Sequence, residues 1–117
     1  MADYKIVSAQ ELKNKLDSKE DFLLVNVLSA SSFEGMRIPG SVNVDVHESG
    51  FVERMEKVTE GDKDKEIIVH CSSATCQASP SAARKLVEEG YTNVADFEDG
   101  LAGWKEAGYP LEGVMVE

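Results

Sequence analysis

Apolar segments of strand length alternating with amphipathic stretches predict an α/β domain with a mainly parallel central sheet flanked by helices. The same order is met along the whole chain, and no internal repeat, low-complexity stretch or linker interrupts it. At 117 residues the chain is long enough for one hydrophobic core and too short for two, so residues 1–117 are expected to form a single domain. A hydrophobic share of 42% and a charged share of 29% argue against disorder and against a fibrous repeat.

The elements follow in order. Lys5-Ile6-Val7 is a short strand, and Ser8-Ala9-Gln10-Glu11 has the form of a capping box that opens a helix over 9–17, with Leu12 and Leu16 at helical spacing. Phe22 to Val27 is a nearly continuous apolar run broken only by Asn26, as suits a parallel strand buried on both faces. Ser29 to Met36 reads as a short Ser-capped helix, and Ile38-Pro39-Gly40 as a turn before a brief strand over 41–44. Residues 51–58 put Phe51, Met55 and Val58 on one helical face. A strand over 66–70 leads directly into Cys71. Ser79-Pro80 is then the expected helix start, as cap and first helical residue, and Gly90 the expected stop. Val94 to Phe97 is the last strand and Leu101 to Ala107 the last helix, ended by Gly108 and Pro110.

Charge and cysteine usage narrow the function classes. Twelve basic against 22 acidic side chains give a net charge of −10, spread along the chain, which disfavours nucleic acid and anionic membranes as partners. The apolar runs are far shorter than the roughly 20 residues that span a bilayer. The first residues lack a basic region followed by an apolar stretch and a cleavage site, so a cytoplasmic location is expected. Two cysteines, Cys71 and Cys76, lie in one short segment, where a bond between them reads as redox chemistry rather than architecture.

That segment is the candidate site. Ligands of open α/β sheets bind beyond the carboxyl ends of strands, and residues 69–80 run from an apolar strand through a loop of small polar residues into a helix. Small side chains let successive backbone N–H groups turn inward as an anion-binding nest, with the helix N-terminus adding partial positive charge. A thiolate cradled there is expected to have a depressed pKa, which a nucleophile needs, and Cys71 is the candidate. Strand, loop and helix units holding a cysteine are common, so this argument alone leaves a buried structural cysteine open.

The motifs around it resemble the rhodanese-like family over nearly the whole chain. They are Leu24-Val25-Asn26-Val27, Met36-Arg37-Ile38-Pro39-Gly40-Ser41, Ile67-Ile68-Val69-His70-Cys71, and Asp99-Gly100-Leu101-Ala102-Gly103-Trp104, with Ala107-Gly108-Tyr109-Pro110-Leu111 closing the pattern. The resemblance implies a three-layer fold and a persulfide mechanism without metal or organic cofactor. The Cys71 thiolate takes sulfane sulfur from a donor such as thiosulfate, polysulfide or a persulfide, holds it as Cys-S-SH, and passes it to cyanide, a thiol or a protein sulfur acceptor. Backbone donors around the sulfur suit the persulfide anion and the departing sulfite. Ser72, Ser73, Ala74, Thr75, Cys76 and Gln77 form the binding loop, and Arg37 lies in a turn that the resemblance places near the site.

Several positions depart from the family pattern. The usual early Asp is Asn26, the usual His is Arg37, the first of the paired glycines is Asp99, and the span from Cys71 to Gly90 is longer than usual. The loop carries no basic residue where familiar members often have Arg, so thiosulfate is expected to be a poor donor. An enlarged loop also marks the related dual-specificity phosphatases, but their chemistry needs an Arg that forks onto phosphate, and Cys76 and Gln77 stand in its place. A non-catalytic binding or regulatory module is the remaining alternative. Cys76 is either a resolving thiol or a small residue of the loop wall. Arg37 is either an anion guide or a solvated charge. Ser72, Ser73 and Thr75 are candidates both to donate to bound sulfur and to favour the tight loop. Trp104 reads as core, His47 and His70 as ordinary surface or packing residues, and His70 should point away from the Cys71 face, against zinc binding.

Overall fold

A computed structural model describes residues 4–115. In chain order they form β1 (Lys5–Ile6), α1 (Ala9–Asp17), β2 (Leu23–Asn26), α2 (Ala30–Gly35), β3 (Val42–Asn43), α3 (Phe51–Thr59), β4 (Ile67–His70), α4 (Ala78–Glu88), β5 (Val94–Phe97) and α5 (Gly100–Glu106). The five strands make one sheet in the order β1-β5-β4-β2-β3, and each pairing is parallel. The expected α/β class with a parallel sheet is therefore realised, because each crossover is long enough to hold a helix and returns the chain to the same sheet end.

The strand expected to be apolar on both faces, β2, lies inside the sheet beside the central β4. Ile67, Ile68 and Val69 of β4 and Val25 of β2 are fully buried. Side chains alternate across the sheet, so two cores form. One contains Val25, Val69, Cys71 and Val94, covered by Phe51 and Met55 of α3 and Ala82, Ala83 and Leu86 of α4. The other contains Leu24, Ile68, Ala95 and Phe97, covered by Leu12 of α1 and Leu101 and Trp104 of α5. Helices on both faces of the sheet complete three layers.

Local signals are carried out as the side chains require. Ser8 and Glu11 close the capping box, Glu11 N–H donating to Ser8 Oγ at 3.1 Å and Ser8 N–H to Glu11 Oε1 at 3.0 Å. Ser29 caps α2 by accepting from Ser32 N–H at 3.3 Å. Trp104 is core, as expected, and its indole N–H reaches the Pro110 carbonyl at 2.8 Å.

Two expectations are corrected. In α3 the buried face is centred on Met55, so Thr59 is inside and Val58 is 41% exposed. Thr59 satisfies its hydroxyl against the Met55 carbonyl at 2.9 Å and Tyr91 Oη at 3.1 Å. In α4 the capping position is Gln77, without a side-chain cap, and Ser79 and Pro80 are the second and third helical residues. Pro80 is tolerated there because first-turn N–H groups have no intrahelical acceptor. The Ser79 hydroxyl is engaged by Cys71 instead of capping the helix.

Candidate active site

Cys71 follows the last residue of β4, at the carboxyl end of a central strand, and its side chain is fully buried on the face covered by α4. Its Sγ donates to Ser79 Oγ at 3.4 Å and approaches the Cys76 carbonyl oxygen at 3.7 Å. The loop folds back tightly, with Cys76 N–H donating to the Ser73 carbonyl at 3.1 Å and the Ser73 and Thr75 hydroxyls paired at 3.1 Å. Both cysteines are free thiols, Cys76 being half-buried.

The start of α5 holds this loop from behind. Leu101 N–H donates to the Cys71 carbonyl at 3.0 Å and Ala102 N–H to the Ser72 carbonyl at 2.8 Å. With those carbonyls drawn outward to a helix N-terminus, amide N–H groups are left to face the sulfurs: that of Ser79 at Cys71, and those of Ala78 and Ser72 at Cys76. Gly100 makes the close approach possible. Its φ is +64°, and a Cβ there would stand 2.5 Å from the Cys71 carbonyl oxygen and 2.8 Å from Ser73 N. This is the physical need behind the second glycine of the late motif.

The acidity of the pair differs from the expectation. Burial pushes the Cys71 thiol up, and the neighbouring Cys76 sulfur adds to this against the opposing Ser79 contacts. At Cys76 burial also raises the pKa, but the hydrogen bond with Cys71 and the Ala78 and Ser72 amides outweigh it and hold the thiol below its ordinary value. The two thiols differ in burial, Cys71 being fully buried and Cys76 half-buried at the edge of the same core.

The other loop residues lie at the surface. Ser72, Ala74, Thr75 and Gln77 are exposed and Ser73 is half-buried. Ser73, Ala74 and Thr75 form one wall of a cleft of about 690 Å³, opposite Asp99, Ala102, Gly103 and Glu106. Arg37 is not brought to this place. It precedes β3, whereas Cys71 follows the parallel β4, and it is tied to Glu112 by an ion pair at 3.2 Å, to the Phe33 carbonyl at 3.3 Å, and lies over the Phe33 ring. His70 points to the opposite face from Cys71, as its position in the strand requires, stacking edge-on with Phe97. It is fully buried, and desolvation lowers its pKa to about 4. His47 is exposed. Among the described residues no cluster of His, Cys, Asp and Glu is arranged to hold a metal ion, and no helix is long and apolar enough to cross a membrane.

Two residues of the site were not read from the sequence. In the sequence Ser79 reads as a helix cap, and Asp96 as one residue of the short strand over 94–97. The visible signal was Asp96 itself, an acid in the middle of the segment Val94-Ala95-Asp96-Phe97.

Comparison with known proteins agrees with this architecture. The thiosulfate sulfurtransferase GlpE of Pseudomonas syringae is 34% identical over 93 residues, covering 80% of each chain. A sulfurtransferase of Allochromatium vinosum is 25% identical over 105 residues, covering 90% of this chain and 92% of that protein. The crystal structure of the Alr3790 protein from Anabaena superposes with a TM-score of 0.79 at 26% identity, covering 94% of both chains. The profile of the rhodanese-like domain matches residues 8–107. A parallel sheet with a cysteine-bearing loop at the end of its central strand, and a sequence match over most of its length, place the chain in the rhodanese-like domain family.

Proposed function

We propose that the chain is a sulfurtransferase in which Cys71 carries sulfane sulfur as a persulfide. The observation that supports this most is the position of Cys71: it ends a central parallel strand, and the loop after it turns amide N–H groups onto the two sulfurs. In the transfer, the electron pair of Cys71 Sγ attacks the outer sulfur of the donor and a new S–S bond forms. The donor's own S–S bond breaks, and the leaving group departs with its electrons. The persulfide anion that remains is stabilised by the same amides. A thiophilic acceptor, such as cyanide, a small thiol or a protein thiol, then attacks the outer sulfur and returns Cys71 as thiolate.

Donor preference follows from charge. Positions 71–79 contain no Lys or Arg, and Arg37 is committed to Glu112. Thiosulfate would have only backbone dipoles to meet its charge, so a persulfide or polysulfide is the better donor on this reading. A cytoplasmic setting, where such acceptors are reduced, accords with two free cysteines.

The test is turnover with cyanide as acceptor and thiosulfate, polysulfide or glutathione persulfide as donor, read as thiocyanate formed. Activity lost in Cys71→Ser supports the proposal. One observation favours a second reading, a binding module without turnover: Cys71 is fully buried and its thiol is held in the protonated form. Absence of thiocyanate with all three donors decides for that reading.

A further inference from the structure

A carboxyl group inside a sheet is costly when ionised, because desolvation penalises its charge. Asp96 on β5 is fully buried, and neither of its carboxyl oxygens has a hydrogen-bond partner. It pairs in register with Val69 of β4, on the face that holds Cys71 and α4. Ser79, in the first turn of α4 and only 1% exposed, stands between the two functional groups. Its oxygen accepts from Cys71 Sγ at 3.4 Å, which leaves the Ser79 O–H proton free to turn toward the neighbouring Asp96 carboxyl.

We propose that Ser79 and Asp96 form a proton relay for Cys71, with Ser79 as the group in contact with the reacting sulfur and Asp96 as a positioning residue acting through it. As Cys71 Sγ attacks an electrophilic sulfur, its proton passes to Ser79 Oγ while the Ser79 hydroxyl proton passes to Asp96. The sulfur lone pair forms the new S–S bond, and the donor's leaving group takes the electrons of the bond that breaks. Asp96 ends protonated and later releases the proton to water. The relay rests on the sulfur-carrying role of Cys71 only for the identity of the electrophile.

The surroundings suit a proton acceptor. Burial pushes the Asp96 pKa up to about 6, with Ser79 pulling it down and Glu98 pushing it further up. An acid in that range is ionised at neutral pH yet basic enough to take a proton in the transition state. The neighbours on β4 and β1 are the apolar Val69 and Ile6. Beyond Ser79 lie the Cys71 and Cys76 thiols, while His70 faces the other side of the sheet. Glu98 just after β5, Lys5 on β1, and Arg84 and Lys85 on α4 are exposed.

The test is the pH dependence of Cys71 alkylation by iodoacetamide on the full chain, resolved from Cys76 by peptide mass, because it needs no sulfur donor. In the unaltered protein the Cys71 rate should rise through an inflection near pH 6. Asp96→Asn should lose that inflection and react at least tenfold more slowly at pH 7.5. Ser79→Ala should do the same, and Ser79→Thr, which keeps the hydroxyl, should restore it. If Asp96→Asn does not fold, the two Ser79 variants decide. Rates within twofold of the unaltered protein with the inflection intact would overturn the relay. So would a faster Asp96→Asn, which would mark the carboxylate as a mere repeller of thiolate. Sulfur loading from polysulfide, measured in parallel, separates the claims. Loading without an inflection removes the relay alone, and an inflection without loading removes the sulfurtransferase reading alone.

Discussion

Gly100→Ala probes the contact that shapes the loop after Cys71. At φ +64° an alanine adopts the left-handed region at a cost of about 1–2 kcal/mol. Its Cβ would meet the Cys71 carbonyl oxygen at 2.5 Å and Ser72 C and Ser73 N at 2.8 Å. These are backbone atoms that cannot swing aside, so an overpacking cost of about 1–3 kcal/mol is added. Moving the loop away stretches the Leu101 and Ala102 hydrogen bonds to Cys71 and Ser72, each worth about 1 kcal/mol. With partial relaxation the expected loss is about 3–5 kcal/mol, a large part of the roughly 5–15 kcal/mol that holds a domain of this size. Gly90→Ala is the control: φ is +96° and nothing lies within 4 Å of the added Cβ, so it carries the dihedral cost alone. Urea unfolding of both variants, with sulfur loading of Cys71 measured where each is folded, reads out the difference. Gly100→Ala should be at least 2 kcal/mol less stable than Gly90→Ala and load at least tenfold more slowly, since displacement on the ångström scale is that costly to a reacting group. Equal stabilities and equal loading would refute the claim that α5 holds the loop in its reactive shape.

Other consequences are open to direct measurement. Asp96 has a folded pKa raised from 3.8 to about 6, so its contribution to stability is present at low pH and is lost as pH rises through that window. His70 has one depressed from 6.5 to about 4, so its contribution is present at high pH and is lost on acidification through the same range. The two slopes oppose each other between about pH 4 and 6, and Asp96→Asn should leave only the His70 slope, a steady loss of stability on acidification from pH 6.5 to 4. Stability curves that stay parallel in urea titrations would contradict this. Gln77→Arg should increase turnover with thiosulfate more than with polysulfide, by supplying the cation the loop lacks, and no change in that ratio of rates would count against the charge argument. Cys76→Ser should form the Cys71 persulfide but keep it longer once donor is removed. In the unaltered chain the more acidic Cys76 sulfur can attack Cys71, expelling hydrosulfide and leaving a disulfide. Equal lifetimes, with no loss of two hydrogens of mass, would leave Cys76 as part of the loop wall.

The sequence made the scaffold legible because its signals are local. The Ser8 to Glu11 capping box, the apolar strand signals over residues 22–27 and 66–70, and Gly90 each act within a turn or a strand, and each holds in the fold to within a residue at its ends. Cys71 and the residues after it were legible for the same reason, as a strand leading through a small-residue loop to a helix. What escaped depends on contacts between distant segments. Ser79 reads as a cap until the loop is seen to fold Cys71 onto it. Asp96 becomes part of the site only through the pairing of β5 with β4. Arg37 sits in a motif near the site by resemblance, but its guanidinium is claimed by Glu112, 75 residues later. The inverted acidities of Cys71 and Cys76 follow from burial, which a list of loop residues does not carry.

The central claim is that Cys71 is the atom that carries sulfur, although Cys76 is the more acidic and more exposed thiol. Intact and peptide mass spectrometry after brief polysulfide treatment tests it directly. The expected result is a gain of one sulfur, about 32 Da, on the Cys71 peptide, absent in Cys71→Ser and retained in Cys76→Ser, because Cys71 stands at the strand end with the Ser79 hydroxyl and amide on its sulfur. A full adduct in Cys71→Ser, lost in Cys76→Ser, would contradict the account and move the nucleophile to Cys76.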